Sequence, residues 1–387
     1  KAENDGKATA TVEGNSSVTV NNATSLAGVV GGGIAETYYN YNASATAEST
    51  VDGTSSVAIN GGTIEGIAYG AVAAGKSSAA VVGGGLANDK GSTATVGSTR
   101  VTIAAGTING KVVAGGAAVN GGNSSVTHDT SLTMTGGKVD GDLIGGGFVD
   151  MNNATDNVAN VDGSTHITVS GGSLVDAEII GGGSVRNANG TANVTGDTHV
   201  TVTKYANDQV DQKWVQYVLG GGKAMTNGTQ TATANVAGNT NVIIGEQGAT
   251  GEALKIEFGT VAGGGLARAQ AVNSTAKAEV ANANVTVHSG ILSGVAGGGI
   301  AESYNTGTAD ATVTGAANLT INGGTINGVK YGVDTSAVAV LGGGIAKGTG
   351  ATADATTTTN TVINGGKING HVVAGGLADG GTATVGT

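Results

Sequence analysis

The chain has 387 residues, with 73 Gly, no Pro, no Cys, 12% charged residues and a formal net charge of −11. That acidic balance excludes the basic face that replaces phosphate counterions, and with it nucleic acid or an anionic membrane surface as a partner. Aromatic residues at 3% exclude a round, ring-filled interior, while abundant Val, Ile, Thr and Ala exclude a disordered chain.

The opening residues "KAENDGKATA" are not a signal peptide. No apolar run approaches the roughly 20 residues that span a bilayer. Any export signal is therefore expected outside this chain, and the absence of Cys fits an exported protein without disulfides.

Short alternating strands follow one another from there: "VAI" at 57–59, "VTI" at 101–103, "LTM" at 132–134, "VTV" at 200–202 and "LTI" at 319–321. Each leads into a Gly turn such as "NGGTING" (322–328), "TGGKVDG" (135–141) or "NGGKING" (364–370). An apolar pair comes next, as in Leu143-Ile144 and Ile179-Ile180, and then a glycine triplet. The triplets open at Gly31, Gly83, Gly145, Gly181, Gly220, Gly263, Gly297 and Gly342, and Ala114-Gly-Gly and Ala374-Gly-Gly fill the gaps. A small apolar pair, a variable polar turn and an Ala/Thr-rich returning strand close each unit.

The spacing between triplets runs from 31 to 52 residues, the mark of a constant rung with insertions in its loops. Three-residue alternation with Gly/Asn turns is strand periodicity, and no window carries apolar residues at helical spacing. The sequence therefore predicts an all-β, parallel β-solenoid (β-helix) of about ten coils, one per repeat, roughly 50 Å tall, with no helices. The absence of Pro suits continuous ladders. The eight triplet glycines are expected to let backbones approach without side chains and to supply φ > 0 where needed. Triplet, turn and returning strand are expected to form a hairpin fin on each coil.

Residues 1–387 read as one elongated repeat domain. "GGGIAETY" at 31 returns as "GGGIAESY" at 297, seven repeats later, and 31–122 as a whole is echoed by 297–381. Neither end carries a polar cap, so the chain is expected to be a section of a longer protein or to stack on other chains.

Two irregular stretches, "KYANDQVDQKWVQY" (204–217) and "GEQGATGEALKIEFG" (245–259), replace the usual turn in adjacent coils. Trp214, Tyr205 and Tyr217 are candidate stacking surfaces there for a partner or glycan; a spacer loop laid on the rod is the alternative. Tyr38, Tyr39 and Tyr41 form a second candidate at a fin tip, echoed by Tyr304, against simple cross-strand pairing. Asp140, Asp142, Asp150, Asp156 and Asp162 do not match a Ca²⁺ loop. The five histidines lie in different coils, so no metal or cofactor is expected. There is no GxxxxGK[ST] loop. With only 17 Lys and Arg, the sequence offers no set of carboxylates with a basic residue on one face, and the Thr rows are too irregular for an ice-binding array. The chain does not read as an enzyme.

The repeat "VTINGGTING.V.GGGIA", with Gly/Asn turns, no Cys and little charge, resembles the passenger regions of bacterial autotransporter adhesins. Filamentous-haemagglutinin-like exoproteins and phage fibres share such compositions. The resemblance implies a secreted β-solenoid at the bacterial cell surface that attaches to a host or bacterial surface protein or glycan. This chain has no aromatic girdles or amphipathic strands of a membrane barrel. The second function that fits is a subunit of an extracellular filament, built from copies of itself by end-to-end stacking.

Overall fold

The computed structural model of the protein describes residues 2–3, 6–38, 45–69, 73–150, 157–207, 215–248, 257–330 and 337–386. Among these there is no helix, and every pairing between strands but one is parallel. Residues 157–186 show one coil. A first strand (Asn157–Val161) turns into a second (Thr165–Val169), a third (Ser173–Val175) and a fourth (Glu178–Ile180). Gly181, Gly182 and Gly183 then lead into a fifth (Ser184–Arg186). Each pairs in register with its copy in the next coil, so that Ile167, Val200, Val242, Val285 and Leu319 form one column. Ten fourth strands, from Val29–Val30 to His371–Val373, stand among the described residues, which gives one coil per repeat. This is the all-β parallel solenoid that the repeat pattern predicts.

Three apolar layers between the sheets hold the coils, beside a buried valine column, Val126 to Val313, at the turn from the first strand to the second. The widest lies between the second and third strands and the inner face of the fourth, and Ile167, Leu174 and Ile179 are buried in it. The outer face of the fourth strand meets the fifth through a second layer that includes Ile144, Phe148 and Ile180. The third is thin and almost all Ala, from Ala224 and Ala267 on fifth strands to Ala192 and Ala232 on first strands. Large side chains do not fit it because the two sheets lie too close.

The expected hairpin is present as a chain reversal, but its two arms are not hydrogen-bonded to each other. Each arm pairs with the same arm of the neighbouring coil: Val185 with Ala224, and Val158 with Thr191. A side-by-side hairpin would leave its edges unpaired at every level, whereas stacking the arms extends two ladders along the whole rod. The reversals turn on residues with positive φ, among them Asp89 (72°), Asn120 (55°) and Asn187 (51°), types that tolerate that region. Among the described residues the only antiparallel strand pair is Val329–Lys330 with Ala337–Leu341.

The triplets cross the section between these layers. The middle Gly N–H of each coil donates to the middle Gly carbonyl of the next, as Gly182 does to Gly221 at 3.0 Å, so the ladder runs through the corner unbroken. A Cβ on Gly182 would stand 2.8 Å from the Gly222 nitrogen and 2.9 Å from Val236 Cγ2, and one on Gly183 would stand 2.0 Å from the Ala192 carbonyl oxygen. Close approach is therefore the reason for the triplet. Of its glycines only Gly33 has positive φ; left-handed glycines sit instead in the turn between the second and third strands, such as Gly62 (92°) and Gly106 (98°).

The first carbonyl of the triplet accepts a hydrogen bond from a hydroxyl on the second strand. Ser55 donates to Gly83 (2.7 Å), Thr130 to Gly145 (2.6 Å), Thr165 to Gly181 (2.6 Å), Thr198 to Gly220 (2.6 Å) and Thr240 to Gly263 (2.5 Å). The column closes the corner against the second strand, and it changes to Ala283 and Ala317 in the two coils that follow.

Ala114 and Ala374 occupy the first triplet position in two coils, but where that position is Gly a Cβ would meet the next coil's first carbonyl, at 2.4 Å for Gly181. Gly181→Ala and Gly182→Ala are each expected to lower the free energy of local opening by about 1–3 kcal/mol. Amide hydrogen exchange in the two flanking coils measures both.

Candidate functional site

The outer face of the fourth strands and the facing side of the fifth strands enclose a groove along the rod. Its floor is apolar. Its outer wall carries charge because the residue three before the triplet and the residue three after it point into it. In successive coils the first of these positions holds Lys111, Asp142, Glu178 and Tyr217, and the second holds Val119, Asp150, Arg186, Met225, Arg268 and Glu302.

Lys111 pairs with Asp142 and Lys223 with Glu178, and all four are at most 9% exposed. Asp142 Oδ1 also accepts the backbone N–H of Glu178 at 3.0 Å, which joins the two pairs. The Lys111 ammonium lies 5.8 Å from the Phe148 ring centroid. One coil on, the buried Asp150 accepts Arg186 Nε at 2.9 Å, Arg186 Nη2 at 2.5 Å and the Tyr69 hydroxyl at 3.0 Å. Further along, Arg268 Nε donates to Glu302 at 2.5 Å beside Tyr217. Lys76, at the mouth, holds Asp176 at 2.5 Å and Asp140 at 3.2 Å.

The electrostatics follow from burial. Desolvation opposes the Asp142 carboxylate, but Lys111 and Lys223 outweigh it and hold its pKa below the ordinary value. Burial, and then the Asp150 charge, push the Tyr69 hydroxyl well above its usual range. Tyr217 is raised by burial and by Glu302. Each of these carboxylates is committed to a cation, so the row is suited to locking two sheets together rather than to moving protons. Among the described residues no group of three or more His, Asp or Glu side chains stands ready to hold a metal ion.

Tyr69 and Lys76 lie in an insertion between the third and fourth strands, and their contacts place that insertion over the groove. The irregular stretch 204–217 includes the same link in a later coil, and 245–259 runs from the end of the second strand Thr240–Ile244 to the fourth strand Glu257–Ala262. Trp214 lies outside the described residues, as do Tyr39 and Tyr41. Tyr38 ends the strand Ile34–Tyr38, its backbone paired with Glu3. Tyr304 is exposed. Tyr217 is half-buried at the groove, next to Arg268. Tyr205 corrects the expectation of a surface ring: it is 5% exposed and packs in the main core with its ring 5.4 Å from that of Phe258. It lies level with the third strand, where the coil needs an inward apolar side chain. The acidic cluster proves to be ion-paired at Asp140, Asp142 and Asp150. The sequence reading missed the bases that face it. Aligning the repeats on their triplets, and comparing the residue three before and the residue three after, would have found Lys111 and Arg186.

No helix of the structure is long and apolar enough to cross a membrane. Comparison of the chain with protein-family models, with curated proteins and with solved structures finds no match.

Lys111→Met alone leaves a buried carboxylate short of its partner and is expected to cost about 3–5 kcal/mol, whereas Lys111→Met with Asp142→Asn, which keeps an oxygen for the Glu178 N–H, is expected to cost clearly less. A double-mutant cycle in urea reads the difference. The depressed pKa of Asp142 contributes stability above its unfolded value of about 3.9, lost as pH falls through the folded value. The raised pKa of Tyr69 contributes stability below about 10, lost as pH rises past it. Melting temperature against pH is therefore expected to fall at both ends, and Tyr69→Phe to remove part of the alkaline fall only.

Proposed function

We propose that the protein is an extracellular rod at the bacterial cell surface, a stalk that attaches its bearer to a host or bacterial surface protein or glycan. The observation that carries this reading is the placement of the insertions. The coils keep their parallel ladders along the rod, while the sequence between the second or third strand and the fourth varies in length in several coils, so the variable segments enter on one flank of a repeating support. On this reading the charged groove holds that flank in shape and the chain performs no catalysis and takes no cofactor. The style of the repeat, similar to autotransporter passengers, supports the location.

A second reading, an extracellular filament, is favoured by the self-complementarity of the coil. Every coil already presents its neighbour with the same columns in register, so the edge of one coil is a template for another.

Beads coated with the protein are expected to bind host epithelial cells or bacteria. Exchange of residues 209–216 for the two-residue link Asp176-Ala177 of the preceding coil, which keeps the third strand Ala206–Asn207, is expected to cut that attachment at least about fivefold, since few residues dominate such contacts. Undiminished attachment by a folded variant would remove the loops from the account. Electron microscopy across concentration decides between the readings: single rods of constant length support the stalk, and rods that lengthen with concentration support the filament.

A further inference from the structure

A second groove, of about 370 Å³, runs along the opposite side of the rod where the first strands turn into the second. Asn193, Asn235 and Glu279 form one wall, and Thr195, Ala237 and Ala281 line its bottom. These wall residues belong to a single column that precedes the stacked Val161, Val194, Val236, Val280, Val313 and Ala355.

The orientation of the Asn side chains is fixed by the backbone. Asn160 Oδ1 accepts the N–H of Asn193 at 2.9 Å, Asn193 Oδ1 that of Asn235 at 3.0 Å, and Asn235 Oδ1 that of Glu279 at 2.9 Å. A backbone N–H requires an acceptor, so the amide oxygen must face along the rod and the NH₂ group must be the free end. Among the described residues no protein group accepts from Nδ2 of Asn193 or Asn235. The coil thus sets out a row of uncharged N–H donors at one per coil, about 4.8 Å apart, above a floor of small side chains. Glu279, ion-paired to Lys277 at 2.9 Å, closes the row with an acceptor.

We propose that this groove binds an extended, uncharged β-1,4-linked polysaccharide lying along the rod axis. One coil advances by close to the length of one such sugar ring, and because successive rings are turned over, a hydroxyl of one ring and the ring oxygen or a different hydroxyl of the next meet the donors in alternation. An extended peptide presents carbonyls on one side only every second residue, about 6.8 Å apart, and falls out of register. A polyanionic chain meets Glu279 and a protein of net charge −11. The inference deepens the attachment reading, on which it rests for the use of the site but not for the binding itself.

The probe is cellohexaose, titrated by calorimetry into the purified full chain. Asn193→Asp and Asn235→Asp keep the oxygen that receives the backbone N–H and replace the donor by an acceptor. The column tolerates this, since Asp354 occupies it and accepts the N–H of Thr384 at 2.7 Å. Each is expected to weaken binding about three- to tenfold, with the solenoid's circular dichroism unchanged. Where an Asp variant fails to fold, Asn235→Thr serves instead, because Thr312 stands in the same column. Absence of binding by the native chain overturns the proposal. Equal binding by the folded double variant does so too, as does preferential binding of a β-1,4-linked oligomannuronate or of an extended peptide. A chain that coats beads and adheres yet ignores cellohexaose overturns this site and spares the stalk; one that binds the sugar without adhering does the reverse.

Discussion

The fold depends on the contact of glycine with glycine. A triplet without side chains is the only segment that can cross between the first strand, the second strand and its own copy in the next coil, because each of its three positions faces a different neighbour at less than a methyl's distance. The first faces the Ser/Thr column, the second the next triplet and the valine column, the third the alanines of the returning arm. Removing side chains is costly in conformational entropy. The cost is offset by a hydrogen-bond ladder that continues through the corner and by hydroxyls that satisfy the first carbonyl. The small Ala layer follows from the same constraint, since arms tied to a glycine corner stand too close for anything larger.

The charged groove follows from what the triplet cannot do. On its open side the corner separates the fourth and fifth strands, and their facing side chains are long enough to span the gap. Apolar residues fill its floor, but farther out the side chains are ionic and alternate along the axis. Buried ion pairs add little net stability over apolar substitutes because desolvation offsets their attraction. What they impose is register: Lys111 matches Asp142 and Lys223 matches Glu178 only if the strands stack in one order. A stack of nearly identical coils has many acceptable misalignments, and a pattern of unlike charges raises the energy of each.

The repeat, its parallel stacking and the count of coils were open to reading because they depend on periodicity, which a single sequence displays in full. The role of the glycines was half readable. Close approach applies at the triplet, whereas positive φ belongs to the turn after the second strand, and nothing in the letters distinguishes the two. The returning arm looked like a hairpin because two short strands joined by a Gly/Asn turn read the same way whether they pair with each other or with their copies. Tyr205 looked like a surface residue because an irregular stretch conceals its register, although the pairing of Ser173 with Ala206 shows that the third strand's place is still kept there. The groove was hidden for a different reason. Its strand-borne ion pairs are 31 to 45 residues apart, those of the insertion farther still, and all meet only through the coil geometry.

The long-range echo separates scaffold from speciality. Coils one to three and eight to ten share their phrases, down to Gly28 and Gly294 at the position three before the triplet and Glu36 and Glu302 five after its first glycine. The four coils between them share the triplets and the columns of the core and little else. Asp142, Glu178, Asp150 and Arg186 fall there, as do the irregular stretches around Trp214 and residues 249–256, and the donors Asn193 and Asn235 on the other side. Core positions are held by stacking on both neighbours and cannot change one coil at a time. Outward positions and the link between third and fourth strands carry no such obligation. Selection for a function on a solenoid has therefore only these places to act, and in this chain their departures from the repeat gather at mid-rod, on two flanks of the same few coils.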